Sequence, residues 1–556
     1  MLRSVFIFVI ILLLNQTLQA GVLLQGFYWD APSPSDETWW DKLAKESKNI
    51  SESGFTSVWI PPVLKGASGG YSNGYDPYDD YDLGSKDQRD TYGTHWGTRE
   101  QLMRMVGMMR ANGMDVYFDN VLGHRSGDDG KGHFVYKDAY GQSAGGRFQK
   151  SDYDFSGFNS FGRQLNYFNP YTQNHLIQAG DWLVNALGVQ GQRIDMATNV
   201  APEFLRKYLD SGAMSNQFAV SEYWSENLDE LEHYVVNQMQ GRVRAFDFPL
   251  WGRLKDLSNA GGFYDLRNLI NAGLNSRQPK HAVTFVENHD TDRGFPMTQN
   301  KHLAYAFILT TEGYPSVFWK DYYNYGLKKI IDPLIWVHEK FAHGPLEWRH
   351  TEFDLLIYER KSKPGLLAGL NDNQTSDKSQ WVQTDFGPFV TLHDYTGNAP
   401  DIQTQADGRV EVRIPSNSYV AYAPKDFHWG HETKSFRTHQ QFAGAKDLDI
   451  PPATKDKFQT VGRIYVEKNT FVDWNLYLNS SLQASVSKDA KLILISEHQG
   501  DSCSEFLSPT YKNDGSVTYQ ASTTGWYEFQ IKLNKNSSAD SIPYWLNVNY
   551  QSPKSF

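Results

Sequence analysis

The sequence predicts an α/β protein, a (β/α)8 TIM barrel with an inserted subdomain, followed by an antiparallel β domain and a C-terminal β-sandwich. Three observations support this prediction. Between residues 21 and 345, eight short apolar runs alternate with helical patterns. A long polar segment interrupts the alternation, and after residue 345 the pattern changes to that of antiparallel strands. The chain has 556 residues, 40% of them hydrophobic, which is enough for several cores.

The eight runs are almost continuously apolar, which is typical of strands buried on both faces of a parallel sheet. In chain order they are GVLLQGFYW, GFTSVWIPPV, MDVYFDNVL, VQGQRIDMA, QFAVSEYW, RVRAFDFPLW, HAVTFVENHD and YPSVFWKDYY.

The segments between these runs predict amphipathic helices. In TREQLMRMVGMMRANG, four apolar side chains share one helical face, namely Leu102, Met105, Val106 and Met109. Gly113 suits the end of this helix, and Gly188 suits the end of a second helix in NHLIQAGDWLVNALG. We interpret the methionines as core residues, not as metal ligands.

The predicted organisation follows these changes of pattern. It comprises a signal peptide (1–20), the barrel (21–345) with an inserted subdomain (125–165), an antiparallel β domain (346–424), a linker or the start of the last domain (425–455) and a β-sandwich (456–556). In the antiparallel domain, FDLLIYERKSKPGLLAGLNDN predicts two strands joined by a turn at 363–365, and VEVRIPSNSYVAYAP predicts another pair.

The first 20 residues have the pattern of a secretory signal. Arg3 precedes the apolar run Val5–Leu14, which has 10 residues, and Ala20 offers a small residue for cleavage. A spanning helix needs about 20 residues, whereas the apolar part of a signal peptide needs about 7–15. We therefore expect a secreted protein that has no membrane association after cleavage.

Charge and cysteine content exclude several classes. The net charge of −11 argues against nucleic-acid or anionic-membrane partners, since both need a basic surface. Cys503 is the only cysteine, so the chain has no internal disulfide. We expect a monomer.

Two of the predicted strands end on a carboxylate, Asp195 in GQRIDM and Glu222 in FAVSEYW. The carboxyl ends of barrel strands line the functional face. Arg193 lies two residues before Asp195 on the same face of its strand, and a guanidinium there is expected to lower the pKa of Asp195. Apolar neighbours of Glu222 favour its protonated form. One ionised and one protonated carboxyl on neighbouring strands suit retaining glycosidic cleavage.

Two further strand ends carry candidate residues. His289 and Asp290 follow the seventh run, and both can face the same mouth only if the strand has already ended there. Asp119 lies in the third run, where it could pair with Arg193, and His124 comes shortly after it. Each of these motifs alone is weak evidence.

In this order, DNVLGH, GQRIDMATN, VSEYW and FVENHD resemble the four signatures of the alpha-amylase family of glycoside hydrolases (glycoside hydrolase family 13). GYDPYDDYDLG and TTEGYPSVF add to the resemblance, which covers residues 21 to about 424. The chain resembles secreted bacterial members of the family with an extra C-terminal β domain. It implies an alpha-linked glucan, oligo- or polysaccharide, as the partner. Asp195 resembles the nucleophile that forms a covalent glycosyl-enzyme, Glu222 the general acid/base, and Asp290 the acid that stabilises the transition state.

The resemblance also assigns substrate-binding residues. Arg193 resembles the arginine that orients the nucleophile, and Asp119 supports it. His124 and His289 resemble the histidines that hydrogen-bond the sugar at the cleavage site, and Tyr75 resembles the tyrosine on which that sugar stacks. In the last domain, the aromatic candidates for sugar stacking are Trp474, Trp526 and Trp545, but we favour a core position for them.

The chain departs from the family pattern where that pattern binds calcium. Gly123 replaces an asparagine and Gln164 an aspartate, and GQRIDMATN ends on Thr198 and Asn199 instead of Lys-His. The carbonyl of Asn199 could still serve as a ligand. No metal or cofactor is required by the motifs, and Ca²⁺ is possible but its usual site is expected to be degraded. Lys320 stands where the family often has glycine, so the eighth loop is expected to differ.

Three alternatives remain beside a hydrolase of alpha-1,4-glucans. An alpha-glucan transglycosylase would use the same carboxylates, and no motif distinguishes it. A catalytically inactive glucan-binding protein is disfavoured because all three acids are present. An unrelated metal-dependent hydrolase would need a cluster of histidines and carboxylates with ligand spacing, which we do not find in the sequence.

Overall fold

The computed structural model describes most of the chain from residue 21 onward. The described residues are 21–32, 37–130, 134, 136, 155–159, 161–427, 437–444, 459–466, 468–478, 481–483, 490–498, 501–506, 510–511, 517–533 and 544–551. The predicted signal peptide lies outside them. None of the helices within these ranges combines the length and the apolar character of a membrane-spanning segment.

Eight parallel strands close into a barrel, which confirms the predicted fold class. They are β1 (Leu23–Gln25), β2 (Ser57–Pro62), β3 (Asp115–Asn120), β4 (Gly191–Ile194), β5 (Phe218–Ser221), β6 (Arg244–Phe246), β7 (Ala282–Phe285) and β8 (Tyr314–Phe318). Each strand pairs with its neighbours in chain order, and β8 pairs with β1. Each of the eight apolar runs contributes one strand, and most of its residues are buried.

Helices cover the barrel between the strands. They are Trp39–Glu52, Arg99–Ala111, Pro170–Leu187, Pro202–Leu209, Leu228–His233, Phe248–Asn259, Leu274–Arg277, Thr291–Gly294, Lys301–Thr310 and Lys328–Phe341. Short 3-10 segments span Ala197–Asn199, Gly212–Asn216 and Leu266–Leu269, and π-helical segments span Tyr234–Gln238 and Lys320–Asn324.

The two helices predicted in detail are present. Arg99–Ala111 begins at a capping box between Thr98 and Gln101, and its predicted apolar face is buried. Asn112 ends this helix and Gly113 follows in the left-handed region, with φ 77°. Gly188 ends the other helix with φ 65°, a conformation that favours glycine.

The described part of the inserted subdomain is a small antiparallel sheet above the barrel. Its strands are His124–Arg125, Phe155–Asn159 and Gly162–Leu165, with the last one in the centre. A short hairpin of Lys65–Gly66 and Pro77–Asp79 lies in the loop after β2.

The antiparallel domain that follows the barrel contains eight strands. They are Leu346–Thr351, Leu355–Arg360, Leu366–Asn371, Lys378–Gln383, Thr391–Asp394, Ile402–Gln403, Arg409–Ile414 and Ser418–Pro424. The second and third pair across the predicted turn.

The predicted pairing within VEVRIPSNSYVAYAP is wrong. Both strands exist, but Arg409–Ile414 pairs with Lys378–Gln383 in a separate sheet, whereas Ser418–Pro424 pairs with Leu366–Asn371 in the larger one. The alternating burial of Arg409–Ile414 suits a sheet with one solvated face, while the centre of Ser418–Pro424 is buried continuously.

The last domain consists of two antiparallel sheets. One contains Arg437–Gly444, Tyr544–Gln551, Phe471–Leu478, Ser481–Gln483, Val517–Gln520 and Thr510–Tyr511, and the other contains Gln459–Val466, Gly525–Leu533, Ala490–His498 and Asp501–Phe506. The Trp474 ring meets Phe529 of the other sheet at 5.4 Å, so Trp474 occupies the core as expected. The side chains of Cys503, Trp526 and Trp545 lie outside the described part. Strand Arg437–Gly444 extends this domain into the segment 425–455.

Candidate active site

A single buried arginine occupies the centre of the barrel mouth. Arg193 on β4 forms ion pairs with three carboxylates, at 2.8 Å to Asp119 Oδ1, 2.7 Å to Asp195 Oδ1 and 2.6 Å to Glu222 Oε1. Asp119 lies directly opposite Arg193 in the register of β3 and β4, as the sequence predicted. The guanidinium is 1% exposed, so these contacts are shielded from water.

Backbone hydrogen bonds fix the two acids that follow β4 and β5. The Asp195 amide donates to the carbonyl of Asn120 (3.0 Å), and the Glu222 amide donates to that of Ile194 (2.9 Å). The Met196 amide donates to Glu222 Oε2 at 2.9 Å. Both carboxylates bind one guanidinium and therefore face one cavity. Neighbouring strands in a sheet lie about 4.7–4.9 Å apart.

Burial dominates the ionisation of this cluster. It raises the pKa of Asp195 to about 7 and that of Glu222 to about 8, because both lose their hydration and lie near other acids. The expectation that Arg193 would hold the pKa of Asp195 low is therefore wrong, since desolvation outweighs its attraction. The expected order is retained, because Glu222 keeps its proton to higher pH than Asp195.

Asp290 and His289 reach the same mouth because β7 ends earlier, at Phe285. The Asp290 side chain is 36% exposed, and its Oδ2 lies 3.3 Å from Nε2 of the buried His289. The Gln25 amide lies 2.9 Å from His289 Nδ1. Burial lowers the pKa of His289 to about 4, so the imidazole is uncharged near neutral pH.

Tyr75 and His124 join the site through a chain of hydrogen bonds. The Tyr75 hydroxyl donates to Asp119 Oδ2 at 2.9 Å, and its ring stacks on His289 with centroids 5.3 Å apart. His124 Nε2 donates to the Tyr75 carbonyl at 2.8 Å. Burial lowers the pKa of His124 to about 4, and its Nδ1 has no hydrogen-bond partner among the described residues. The unprotonated Nδ1 is a hydrogen-bond acceptor, and it is buried in this structure.

Three residues of the site were not predicted. The Trp59 indole donates to Asp119 Oδ2 at 3.1 Å, and the Arg193 guanidinium lies 5.0 Å from its ring. Trp29 stacks on Tyr75 at 5.7 Å, and Gln25 contacts His289. The available signal was position, because Gln25 is a polar residue within an apolar run and Trp59 lies inside another run.

The residues that stand at the calcium-binding positions of the family pattern form contacts within the protein. The Gln164 amide donates to the carbonyl of Asn199 at 3.0 Å. Thr198 and Asn199 line, with Gln164 and Phe168, a cavity of about 520 Å³. Asp128, in the loop after β3, accepts from Arg163 Nε at 2.7 Å.

Lys320 gives the eighth loop an ion pair at the rim of the mouth. Its ammonium group lies 2.6 Å from Asp292 Oδ2, and Asp292 also accepts from the Tyr325 hydroxyl at 2.9 Å. The side chain that replaces the glycine of the family pattern therefore connects the seventh and eighth loops.

The site combines buried acids, one cation and aromatic faces. A protonated carboxyl beside an ionised one can give and take a proton, while the other can bond to an electrophilic carbon. The surplus of acids over cations favours positive charge that develops between them. The stacked rings offer an apolar surface for a flat ligand.

Comparisons with known proteins agree with this geometry. The family model for the alpha-amylase C-terminal domain matches residues 366–423, within the antiparallel domain. An alpha-amylase of Geobacillus stearothermophilus is 30% identical over 483 residues, 73% of this chain and 87% of the relative. A glucan 1,4-alpha-maltohexaosidase of Bacillus sp. (strain 707) is 32% identical over 73% of this chain and 92% of the relative. The cytoplasmic alpha-amylase of Escherichia coli (strain K12) is 27% identical over 68% and 93%.

Solved structures share the fold. The alpha-amylase of Geobacillus thermoleovorans, solved in complex with acarbose, superposes with a TM-score of 0.56 at 16% identity, over 74% of this chain and 99% of that chain. A cyclomaltodextrin glucanotransferase with a three-domain ABC distribution gives a TM-score of 0.57 at 20% identity, over 73% of this chain and 99% of that chain.

The raised pKa of Glu222 predicts a pH-dependent effect on stability. In the unfolded chain a glutamate loses its proton near about pH 4.3, whereas burial raises the folded pKa to about 8. This contribution to the free energy of unfolding is present at low pH and is lost as pH rises through the folded pKa. Glu222→Gln has no such proton, so its Tm should exceed that of the wild type by more at about pH 9 than at about pH 5.

Differential scanning calorimetry over this pH range measures the effect. Glu203→Gln is the matched control, because Glu203 is exposed on helix Pro202–Leu209. A Tm difference between Glu222→Gln and wild type that stays constant or shrinks with rising pH would contradict the assignment of the retained proton to Glu222.

Proposed function

Since the chain belongs to the alpha-amylase family of glycoside hydrolases, we propose that it is a secreted enzyme that cleaves alpha-1,4-glucosidic bonds of starch-like glucans with retention of configuration. The observation that carries the proposal is the binding of Asp195 and Glu222 to one guanidinium at the ends of neighbouring strands. Retaining glycosidases hold their two carboxyls about 5–5.5 Å apart, and inverting enzymes hold them further apart. The spacing of adjacent strands, about 4.7–4.9 Å, supports the closer arrangement.

The first chemical step breaks the glycosidic bond. Glu222 donates its proton to the glycosidic oxygen while the bond from that oxygen to the anomeric carbon breaks. A carboxylate oxygen of Asp195 bonds to the same carbon, and the leaving sugar departs as an alcohol. This step requires a proton on Glu222 and none on Asp195, which is the order of their pKa values.

The second step reverses the roles of acid and base. The ionised Glu222 removes a proton from water, and the water oxygen bonds to the anomeric carbon as its bond to Asp195 breaks. The product sugar is released, Asp195 returns to a carboxylate and Glu222 regains its proton. Attack from opposite faces in the two steps retains the configuration.

The surroundings of the pair favour the positive charge of the oxocarbenium-like transition state. Asp290 contributes a partly exposed carboxylate, and the neighbouring His289 is uncharged near neutral pH. Arg193 holds the Asp195 carboxylate by one nitrogen and leaves its other oxygen for the anomeric carbon. These charges are fixed before the substrate arrives, so little reorganisation is needed during the reaction.

Polar and aromatic groups at the mouth suit a glucose ring. Trp29 and Tyr75 present stacked faces at 5.7 Å, and the partly exposed carboxylate of Asp290 can accept from a sugar hydroxyl. The acarbose complex of the Geobacillus thermoleovorans enzyme is consistent with an alpha-glucan partner for this fold.

Transglycosylation is the alternative that shares this mechanism, with a sugar hydroxyl in place of water. The likeness to a cyclomaltodextrin glucanotransferase is one of fold alone at 20% identity, so it does not favour transfer over hydrolysis. A catalytically inactive glucan-binding role is disfavoured because the three acids are in place.

The secreted location rests on residues 1–20, where Arg3 precedes the apolar run Val5–Leu14. The relatives include a cytoplasmic enzyme, so relationship alone does not determine the location. Expression of the full chain in a bacterial host should release protein whose first residue, by N-terminal sequencing, follows Ala20. A cell-retained protein that keeps residues 1–20 would contradict export.

Substitution of the two acids should abolish starch cleavage by different routes. We expect Asp195→Asn and Glu222→Gln each to lower kcat on soluble starch by at least about 100-fold, since acid–base assistance alone contributes about 10²–10⁴-fold. An alpha-maltosyl fluoride substrate needs little protonation of its leaving group, so it should restore formation of the covalent intermediate in Glu222→Gln but not in Asp195→Asn.

Mass spectrometry of the quenched Glu222→Gln reaction measures the covalent intermediate, and circular dichroism verifies the fold of both variants. Glu203→Gln is again the control, with activity close to that of the wild type. Near-normal starch cleavage by Asp195→Asn or Glu222→Gln would refute the catalytic assignment.

The stereochemical prediction is tested with the unmodified enzyme. Proton NMR of maltooligosaccharide cleavage should show the alpha anomer first, because two displacements retain configuration. An initial beta anomer would require inversion and a wider carboxyl separation. Products longer than the starting oligosaccharide would identify transglycosylation.

A further inference from the structure

The loop after β3 has its backbone carbonyls occupied by donors from the protein itself. Arg125 Nη1 donates to the carbonyls of Val121 (2.9 Å) and His124 (2.6 Å). The Tyr167 hydroxyl donates to the carbonyl of Leu122 at 3.1 Å, and the Leu165 amide donates to that of Gly123 at 3.1 Å. Four successive carbonyl oxygens are thus hydrogen-bonded.

Arg125 is a buried cation in this loop. Its guanidinium is paired with Asp80, to which Nε donates at 2.9 Å and Nη2 also donates. Arg125 is 1% exposed and Asp80 2%. One guanidinium therefore binds a carboxylate of the loop after β2 and two carbonyls of the loop after β3.

The groups present do not fit the calcium site that the family resemblance implies. Ca²⁺ takes about 6–8 oxygen ligands, but Gly123 has no side-chain oxygen to offer. The Gln164 amide points an N–H donor at the carbonyl of Asn199, at 3.0 Å, so that oxygen is already hydrogen-bonded. Hydrogen-bond donors stand where a metal would need free oxygens.

We propose that Arg125, paired with Asp80, takes the place of a bound cation and is a positioning residue for the substrate-binding side chains. Arg125 donates to the carbonyl of His124 and so fixes the backbone of that residue. The His124 ring in turn donates to the Tyr75 carbonyl at 2.8 Å. Asp80 lies five residues after Tyr75 in the same loop. The ion pair joins the loops that carry Tyr75 and His124, so the sugar-binding surface assembles without a metal.

The neighbouring acids Asp79 and Asp82 pair with other cations, so Arg125 has a role at Asp80 that is distinct from the roles of those cations. Lys86 lies 2.6 Å from Asp79, and Lys65 lies 3.4 Å from Asp82. Loss of Arg125 would remove the guanidinium that faces the buried Asp80 carboxylate, and removal of one partner of a buried ion pair is costly.

The activity readout rests on the proposed starch hydrolysis, whereas the unfolding readout needs no substrate. For the wild-type full chain, excess EDTA or added CaCl₂ should shift Tm by less than about 2 °C, far below the shift that loss of a tightly bound metal produces. Starch kcat/KM should change by less than about twofold. A large fall in Tm with EDTA, reversed by CaCl₂, would overturn the replacement of a cation by Arg125.

Variants of the pair test the positioning role. Arg125→Lys keeps the charge but cannot bind Asp80 and two carbonyls with a planar fork, so kcat/KM should fall by at least about tenfold. The double variant Asp80→Leu/Arg125→Met replaces the pair with apolar groups, which is often neutral for stability. It should fold with a Tm near that of the wild type and still lose at least about tenfold in kcat/KM.

Asp128→Asn is the matched control, since it breaks the Asp128–Arg163 pair in the same subdomain. Its kcat/KM should stay within about twofold of the wild type. Wild-type kcat/KM in a folded Arg125→Lys or double variant would refute the positioning role. A wild-type chain with no activity on starch would refute the proposed hydrolysis, while the EDTA result would still decide on the metal.

Discussion

The site depends on one charge imbalance, a single buried guanidinium facing three carboxylates. Arg193 can neutralise one of the acids Asp119, Asp195 and Glu222, and its pairing with all of them means that their ionisations are coupled. Because water is largely excluded, a further negative charge is expensive, and the cluster retains a proton near neutral pH. The proton stays on Glu222, whose pKa burial raises furthest. The acid needed for leaving-group protonation therefore follows from a shortage of cations.

Short barrel strands bring the acids Asp195 and Glu222 to the same guanidinium. β4 and β5 each have four residues, so Asp195 and Glu222 follow them at the rim, where one guanidinium reaches both. The planar guanidinium donates in several directions at once, whereas a lysine ammonium on a flexible stem lacks this fixed fork of donors. The same closure brings Asp119 opposite Arg193, and the Tyr75 hydroxyl and Trp59 indole complete the partners of Asp119.

The sequence was sufficient for the barrel strands, because continuous apolar runs alternate with helical patterns, and for the pairing of Asp119 with Arg193, because their strands are neighbours in chain order. Burial depth was not accessible in the same way. The pKa of Asp195 was expected to fall because Arg193 is adjacent in sequence, whereas desolvation in the closed mouth raises it. Trp59 and Gln25 were missed because they read as parts of strands, and only barrel closure shows that they face the site. The pairing of Arg409–Ile414 failed for a related reason, because adjacency in sequence does not determine which sheet a strand joins.

In the loop after β2, unlike at the catalytic centre, buried acids are matched one to one by side-chain cations. Asp79, Asp80 and Asp82 lie within one short segment and face Lys86, Arg125 and Lys65, respectively. A covalently attached cation is present at every ion concentration, whereas stabilisation by a bound metal varies with the free metal concentration. A side-chain cation constrains the sequence more than a bound metal does. A guanidinium that is buried with one carboxylate and two carbonyls tolerates neither loss of its partner nor a change in the shape of its donors. On this basis the departures at Gly123 and Gln164 belong together with the presence of Arg125 and Asp80, as parts of one arrangement that replaces ligand oxygens by hydrogen-bond donors.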